Sequence, residues 1–303
     1  MKLMNLYVAT SMLLIVCIVT ATEASAEKYG MTGVEMVNGV PTTESSKQLY
    51  DAMDYYGAVQ TYLWAMPAMG LKGWENANVD MGASPTLDGQ ISLYRGYEGA
   101  AGILTPNTEV TYVISFVDTN VHGPAVWDIP PGMTAGYVGD QWQRPILDTG
   151  VTGADKGQGI KLLIVGPSNE VPELDGSYTV VKSPTNVVWL GTRNMSPTGQ
   201  EHERINANFD SYPYQRPELA GRSKLRKDQN VFMQYQPHGI KFWNNLNAIV
   251  QREVMAERDV FFYAIMKNLG IEVQWYNGYG ENLIDYNHKN NRVGFGILMT
   301  DWL

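Results

Sequence analysis

Between Glu109 and Met195 the apolar residues come in short runs, β-branched or aromatic, cut by Gly, Pro and Asp. Runs spaced roughly ten residues apart are too short for helices and are the pattern of a sandwich or barrel. Strands are expected from Val110 to Val117, Ala125 to Ile129, Thr134 to Trp142, Ile160 to Val165, Ser177 to Val181 and Asn186 to Thr192. In the first of these, Tyr112, Ile114 and Phe116 alternate with Val113, Ser115 and Val117, so one face of the sheet is the more aromatic. Gly at 30 residues and aromatics at 11% agree with a strand-rich, turn-rich chain.

Helical spacing frames this region. Leu49, Met53, Tyr56, Val59, Leu63 and Met66 recur at the interval of a core-facing stripe, Ser45 and Gln48 have the spacing of a capping box, and Pro67 is expected to end the helix. A second helical stretch runs through Phe242, Leu246, Ile249 and Val250, and a third through Val260, Ala264 and Ile265, with Gly270 as its C-cap. The reading is therefore an α+β fold, an antiparallel β-sandwich or barrel-like core flanked by an N-terminal helix and C-terminal helices.

The N-terminus carries the parts of a secretory signal: Lys2, the apolar run Leu13 to Val19, and Ala24-Ser25-Ala26 as an A-x-A cleavage site. Cleavage after Ala26 gives a periplasmic or secreted chain beginning at Glu27. Cys17, the only cysteine, leaves with the signal, which excludes a disulfide, a thiol nucleophile and a cysteine metal site from the mature chain. Residues 27–44 read as a flexible leader. Losing Lys2 and Glu23 leaves the net charge at −9, which argues against nucleic acid as a partner. No mature stretch is long and apolar enough for a membrane-spanning helix.

Chemical motifs are sparse. Gly157-x-Gly159-x-x-Leu162 leads into a strand rather than a helix, so it reads as a tight turn and not as a dinucleotide fingerprint. The sequence contains no Gly-x-Ser-x-Gly elbow, Walker loop or His-Glu-x-x-His helix, and it implies no cofactor. His122, His202, His238 and His288 stand alone, without metal-face spacing, and are expected on surfaces or in loops; no metal site is assigned. The densest polar string, Asp118-Thr119-Asn120-Val121-His122-Gly123-Pro124 followed by Trp127-Asp128, has two readings. Asp118 and Asp128, with His122, could form the acid–base pair of a hydrolase or lyase if they converged at one sheet end. Alternatively the string is a loop whose side chains bond their own backbone. Tyr112, Trp127, Tyr137 and Trp142 either wall an apolar pocket or fill the core, and Arg193, closing the last strand, is placed beside the two aspartates.

The ordered strings Gly166-Pro167, Ser183-Pro184-Thr185-Asn186 with Val188-Trp189, and Gly191-x-Arg193 resemble the bacterial domain-of-unknown-function family DUF1254, often described as cell envelope proteins. Pro106-Asn107, Gly123-Pro124-Ala125-Val126 and Leu269-Gly270-Ile271 add to the resemblance, which covers residues 45–271. The family's Pro-Asn-x-Asp-Thr string departs here, since Asn107 is followed by Thr108 and Glu109. The resemblance implies an envelope location and a second, jelly-roll domain after the late helix, and it brings no catalytic residues. Residues 272–303 are too few for that domain and are expected to form an irregular tail. The expected activity is binding of a small molecule or an envelope protein. The alternatives are the hydrolase or lyase above, and a structural module needing a separate jelly-roll partner; homo-oligomerisation stays open.

Overall fold

The architecture follows from the strand alternation seen in the sequence. The computed structural model describes residues 33–95, 109–174, 176–221, 224–226, 234–260, 262, 269–279 and 289–299. The expected signal peptide (residues 1–26), residues 27–32, Pro106-Asn107, Ala264, Ile265 and His288 lie outside the described residues. The chain divides into two compact units, Met1–Trp64 and Ala65–Leu303.

In the first unit, the region expected to be a flexible leader contains a hairpin of β1 (Met36–Val37) and β2 (Val40–Pro41). Asn38 and Gly39 form its turn with φ of 53° and 81°, the two positive φ values of a type I′ turn that Asn-Gly favours. Helix α1 (Thr43–Asp80) begins immediately after. Its cap is Thr42, whose Oγ1 accepts from the Ser45 N–H at 3.2 Å, while Ser45 Oγ accepts from the Glu35 N–H at 2.9 Å. The expected capping box at Ser45 and Gln48 is thus displaced by three residues.

Two further expectations for this helix are corrected. It does not stop at Pro67 but continues to Asp80. Met53, Tyr56, Val59, Leu63 and Met66 are exposed, whereas Ala65, Ala68, Met69, Leu71, Ala77 and, just past the helix, Met81 are buried. The C-terminal half therefore docks, and that burial offsets the hydrogen bond a mid-helix proline removes.

The second unit is built on two sheets. The larger has six strands in the order β12 (Lys224–Arg226), β3 (Asp88–Arg95), β4 (Thr111–Asp118), β10 (Val187–Asn194), β6 (Thr134–Asp140), β7 (Pro145–Gly150). The smaller has four: β11 (Asp210–Pro213), β5 (Ala125–Ile129), β8 (Ile160–Val165), β9 (Thr179–Lys182). Pairing is antiparallel except at two edges, where β12 lies parallel to β3 and β9 parallel to β8. Four residues of helix α2 (Thr119–His122) carry the chain from β4 to β5.

The sheets share one core. Ile91, Leu93, Val113, Val117, Val138, Val188 and Leu190 from the larger sheet cluster with Trp127, Ile129, Leu162, Ile164 and Val181 from the smaller. Ile205 and Phe209, from helix α3 (Gln200–Asn208) and its C-cap, close the same cluster. On its other face the larger sheet packs Ile114, Phe116 and Val187 against Leu71, Ala77 and Met81 of the α1 segment. Tyr178, Tyr212 and Tyr214 cover Val126, Leu163 and Val165 on the other face of the smaller sheet. The fold is α+β, a sandwich with a helix on one side and no closed barrel among the described strands.

The C-terminal expectations are revised. Helix α4 (Ile240–Arg252) buries Phe242, Leu246, Ile249 and Val250 as its spacing predicts. Gly270, expected as a helix C-cap, lies in strand β13 (Leu269–Tyr279), which pairs antiparallel with β14 (Lys289–Met299). The segment expected to be irregular is therefore a hairpin of two 11-residue strands. Apolar residues alternate with small or polar ones from Leu269 to Trp275 and from Val293 to Ile297, a period-2 pattern that the reading of Gly270 as a helix end passed over.

Candidate binding cavity

Strand alternation places Tyr112 and Ile114 of β4, Trp189, Gly191 and Arg193 of β10, and Ala135 and Tyr137 of β6 on the face of the larger sheet that meets α1. With Leu71 and Trp74 of α1 and Gln143 of the following turn, they line a cavity of about 280 Å³. Its aromatic wall is a run of edge-to-face contacts: Tyr137 to Trp189 at 4.6 Å and 67°, and Trp74 to Trp189 at 6.2 Å and 66°. Gly191 is what lets the Trp189 ring lie along the sheet, since a Cβ there would stand 2.2 Å from the indole. The family-like string Trp189-x-Gly191-x-Arg193 thus has a physical sense: ring, space for the ring, and a cation on one face of one strand.

The mouth of the cavity is polar. Gln143, at φ 59°, donates from Nε2 to the Pro67 carbonyl at 2.6 Å and ties the turn to α1. Gly70 leaves room for that amide, which would lie 2.7 Å from an added Cβ. The turn itself is set by buried Asp140, whose carboxylate accepts from the Trp142 N–H at 2.8 Å, the Arg144 N–H at 2.9 Å and Arg144 Nε at 2.5 Å. Arg193 is exposed and has no ion pair among the described residues. The indole N–H of Trp189 is buried without an acceptor there. Burial raises the Tyr137 phenol above its usual pKa.

Among the residues singled out in the sequence, Tyr112, Tyr137 and Arg193 meet at this cavity. Trp127 does not: it is fully buried in the shared core between the sheets. Trp142, one residue before Gln143, is buried in the turn and is not among the lining residues. Trp74, Gln143 and Trp189 were missed as site residues, and the alternation of Trp189, Gly191 and Arg193 was the signal that could have found Trp189.

The acid–base constellation does not assemble. Asp118 pairs in register with Val187 and Arg193 with Tyr112, six residues along the same ladder, about 20 Å at a strand's rise. Asp118 accepts from the Asn120 N–H at 2.9 Å as the N-cap of α2, the backbone-bonding alternative for this loop. Asp128 sits in the other sheet and pairs with Lys161 at 3.1 Å, raising the lysine's pKa. His122 Nε2 bonds the Thr86 carbonyl at 2.9 Å. His202, expected on a surface or in a loop, is buried in α3: Nδ1 donates to the Ser196 carbonyl at 2.8 Å and Nε2 lies 2.7 Å from Thr111 Oγ1.

The Ser183-Pro184-Thr185-Asn186 string has a separate, structural task. Glu253, at the end of α4, turns its buried carboxylate onto the N–H groups of Asn186 (2.5 Å) and Val187 (3.2 Å) at the start of β10. Arg252 bonds Glu253 at 3.2 Å and Gln141 at 2.7 Å, and lies 3.8 Å from Glu75, which Lys72 also bonds. Desolvation pushes Glu253 up to about 7, against the opposing pull of Arg252 and the two N–H donors.

Comparison with known proteins divides the chain. The family described as Protein of unknown function (DUF1254) matches residues 90–212, and the family Phospholipase A1 matches residues 221–299. Phospholipase A1 of Escherichia coli is 49% identical over 39 residues, 13% of this chain and 14% of that protein. A putative phospholipase A1 of Neisseria meningitidis is 55% identical over 29 residues, covering 10% of this chain and 8% of that protein. The chain thus spans only a small part of these curated relatives. The VPA0106 protein from Vibrio parahaemolyticus has a TM-score of 0.49 at 12% identity, over 70% of this chain and 52% of that one. Residues 90–212, which supply most strands of both sheets and most of the cavity wall, are similar to the DUF1254 family.

Proposed function

We propose that this is an exported envelope protein that binds a small ligand in the cavity between α1 and the larger sheet. The observation that carries the reading is a cavity of about 280 Å³ walled by Trp74, Tyr112, Tyr137 and Trp189, with Arg193, which has no ion pair among the described residues, in its lining. Few polar groups set in an apolar hollow are the composition of a small-molecule site. The signal-like N-terminus supports export. Native mass spectrometry of exported protein tests both parts. The expected result is a chain beginning at Glu27 that carries a small-molecule adduct, and Gly191→Ala, which displaces the Trp189 ring, loses the adduct. An adduct retained in Gly191→Ala overturns the assignment of the site, and a chain still beginning at Met1 overturns export.

A second reading is favoured by the phospholipase A1 match of residues 221–299: this part of the chain works at lipid. In the β13–β14 ladder, Leu269, Ile271, Val273 and Trp275 stand opposite Met299, Ile297, Phe295 and Val293. The alternate positions pair Glu272 and Gln274 with Gly296 and Gly294. An apolar face against a small and polar one, on strands of this length, suits a β-hairpin set in a bilayer. Full-length protein should float with phosphatidylethanolamine and phosphatidylglycerol vesicles and lose that with Val273→Asp. Equal flotation of the two proteins rejects the reading.

A further inference from the structure

The charge of the cavity narrows its ligand. Its twelve lining residues include no Asp or Glu and one permanent cation, Arg193, in a chain whose net charge is −9. An arginine that lines an apolar hollow and has no carboxylate partner among the described residues offers a planar fork of N–H donors that matches a carboxylate. The buried indole N–H of Trp189 adds a donor without an acceptor among the described residues, whereas the Gln143 amide nitrogen is already engaged with Pro67. The walls are ring faces and edges from Trp74, Tyr112, Tyr137 and Trp189, suited to a flat apolar body. The volume lies at the small end of ligand sites. An amine would meet the arginine's repulsion, and a phosphate dianion would call for more cations than one.

Resting on the reading of this cavity as a ligand site, we propose that it takes a small aromatic monocarboxylate, its carboxylate on Arg193 and its ring against Trp189 and Tyr137. Calorimetric titration of the full chain with benzoate, benzamide and benzylamine tests this, because the three probes share size and shape and differ in charge. Benzoate should bind about tenfold or more tightly than benzamide, as a charge-assisted pair is worth. Its affinity should fall with added salt. Benzylamine should bind weakest. Arg193→Met should abolish the preference for benzoate over benzamide, with Arg193→Lys between. Equal affinity for benzoate and benzamide in the wild type overturns the anion assignment and leaves the cavity a ligand site. Binding of none of the three, or binding that is unchanged in Trp189→Leu, overturns the site itself.

Discussion

Glu253 shows how one buried carboxylate can carry a pH dependence. Its pKa is 4.5 in an ordinary setting and about 7 in the fold, with burial the leading cause. In that window the folded chain keeps a proton that the unfolded chain has released, so unfolding releases a proton and rising pH favours it. Stability from this group is therefore fully present below about pH 4.5 and is lost as pH climbs through about 7. Urea unfolding at a series of pH values should show the wild type losing stability relative to Glu253→Gln between these limits. Parallel profiles for the two proteins contradict the assignment. The site is equally a matter of single residues: Gly191 contributes by having no side chain, and no sequence signal distinguishes that glycine from one in a turn.

Among elements, α1 departs most from the expectations of its sequence. Pro67 is exposed inside a 38-residue helix and leaves the hydrogen bond its nitrogen would make unmade. Pro67→Ala keeps the carbonyl that Gln143 bonds and restores an N–H donor. It should raise stability by about 1 to 3 kcal/mol, read as a higher urea midpoint with an unchanged slope. A lowered midpoint means that the local bend is required for docking. Periodicity found the strands Ala125–Ile129 and Ile160–Val165 to the residue, because each is a mostly apolar run with a single charged residue and is bounded by Gly or Pro. It missed β7, whose burial shows no alternation, and β11, whose Asp210-Ser211-Tyr212-Pro213 has little of a strand's composition.

At the scale of the whole molecule, the shared core predicts that the two sheets unfold together. Trp127 of the smaller sheet is fully buried in the cluster that Val113, Val188 and Leu190 of the larger sheet complete. Trp127→Ala should cost about 3 to 5 kcal/mol, with the fluorescence and far-ultraviolet circular dichroism transitions still coincident and shifted together to lower temperature. Transitions that separate reject a single core. By itself the sequence determined the α+β class, six of the sandwich strands, the α4 helix and the resemblance to the DUF1254 family, because these rest on local apolar periodicity and on short strings whose order survives in the chain. It also placed Tyr112, Tyr137 and Arg193 among the candidates. Only the tertiary structure decided that Asp118 and Arg193 stand at opposite ends of one ladder, that Trp127 fills the core, and that Trp74 crosses from α1 to complete the cavity. The physical reason is that strand register and the docking of α1 are set by burial summed over residues far apart in the chain, which no local spacing records.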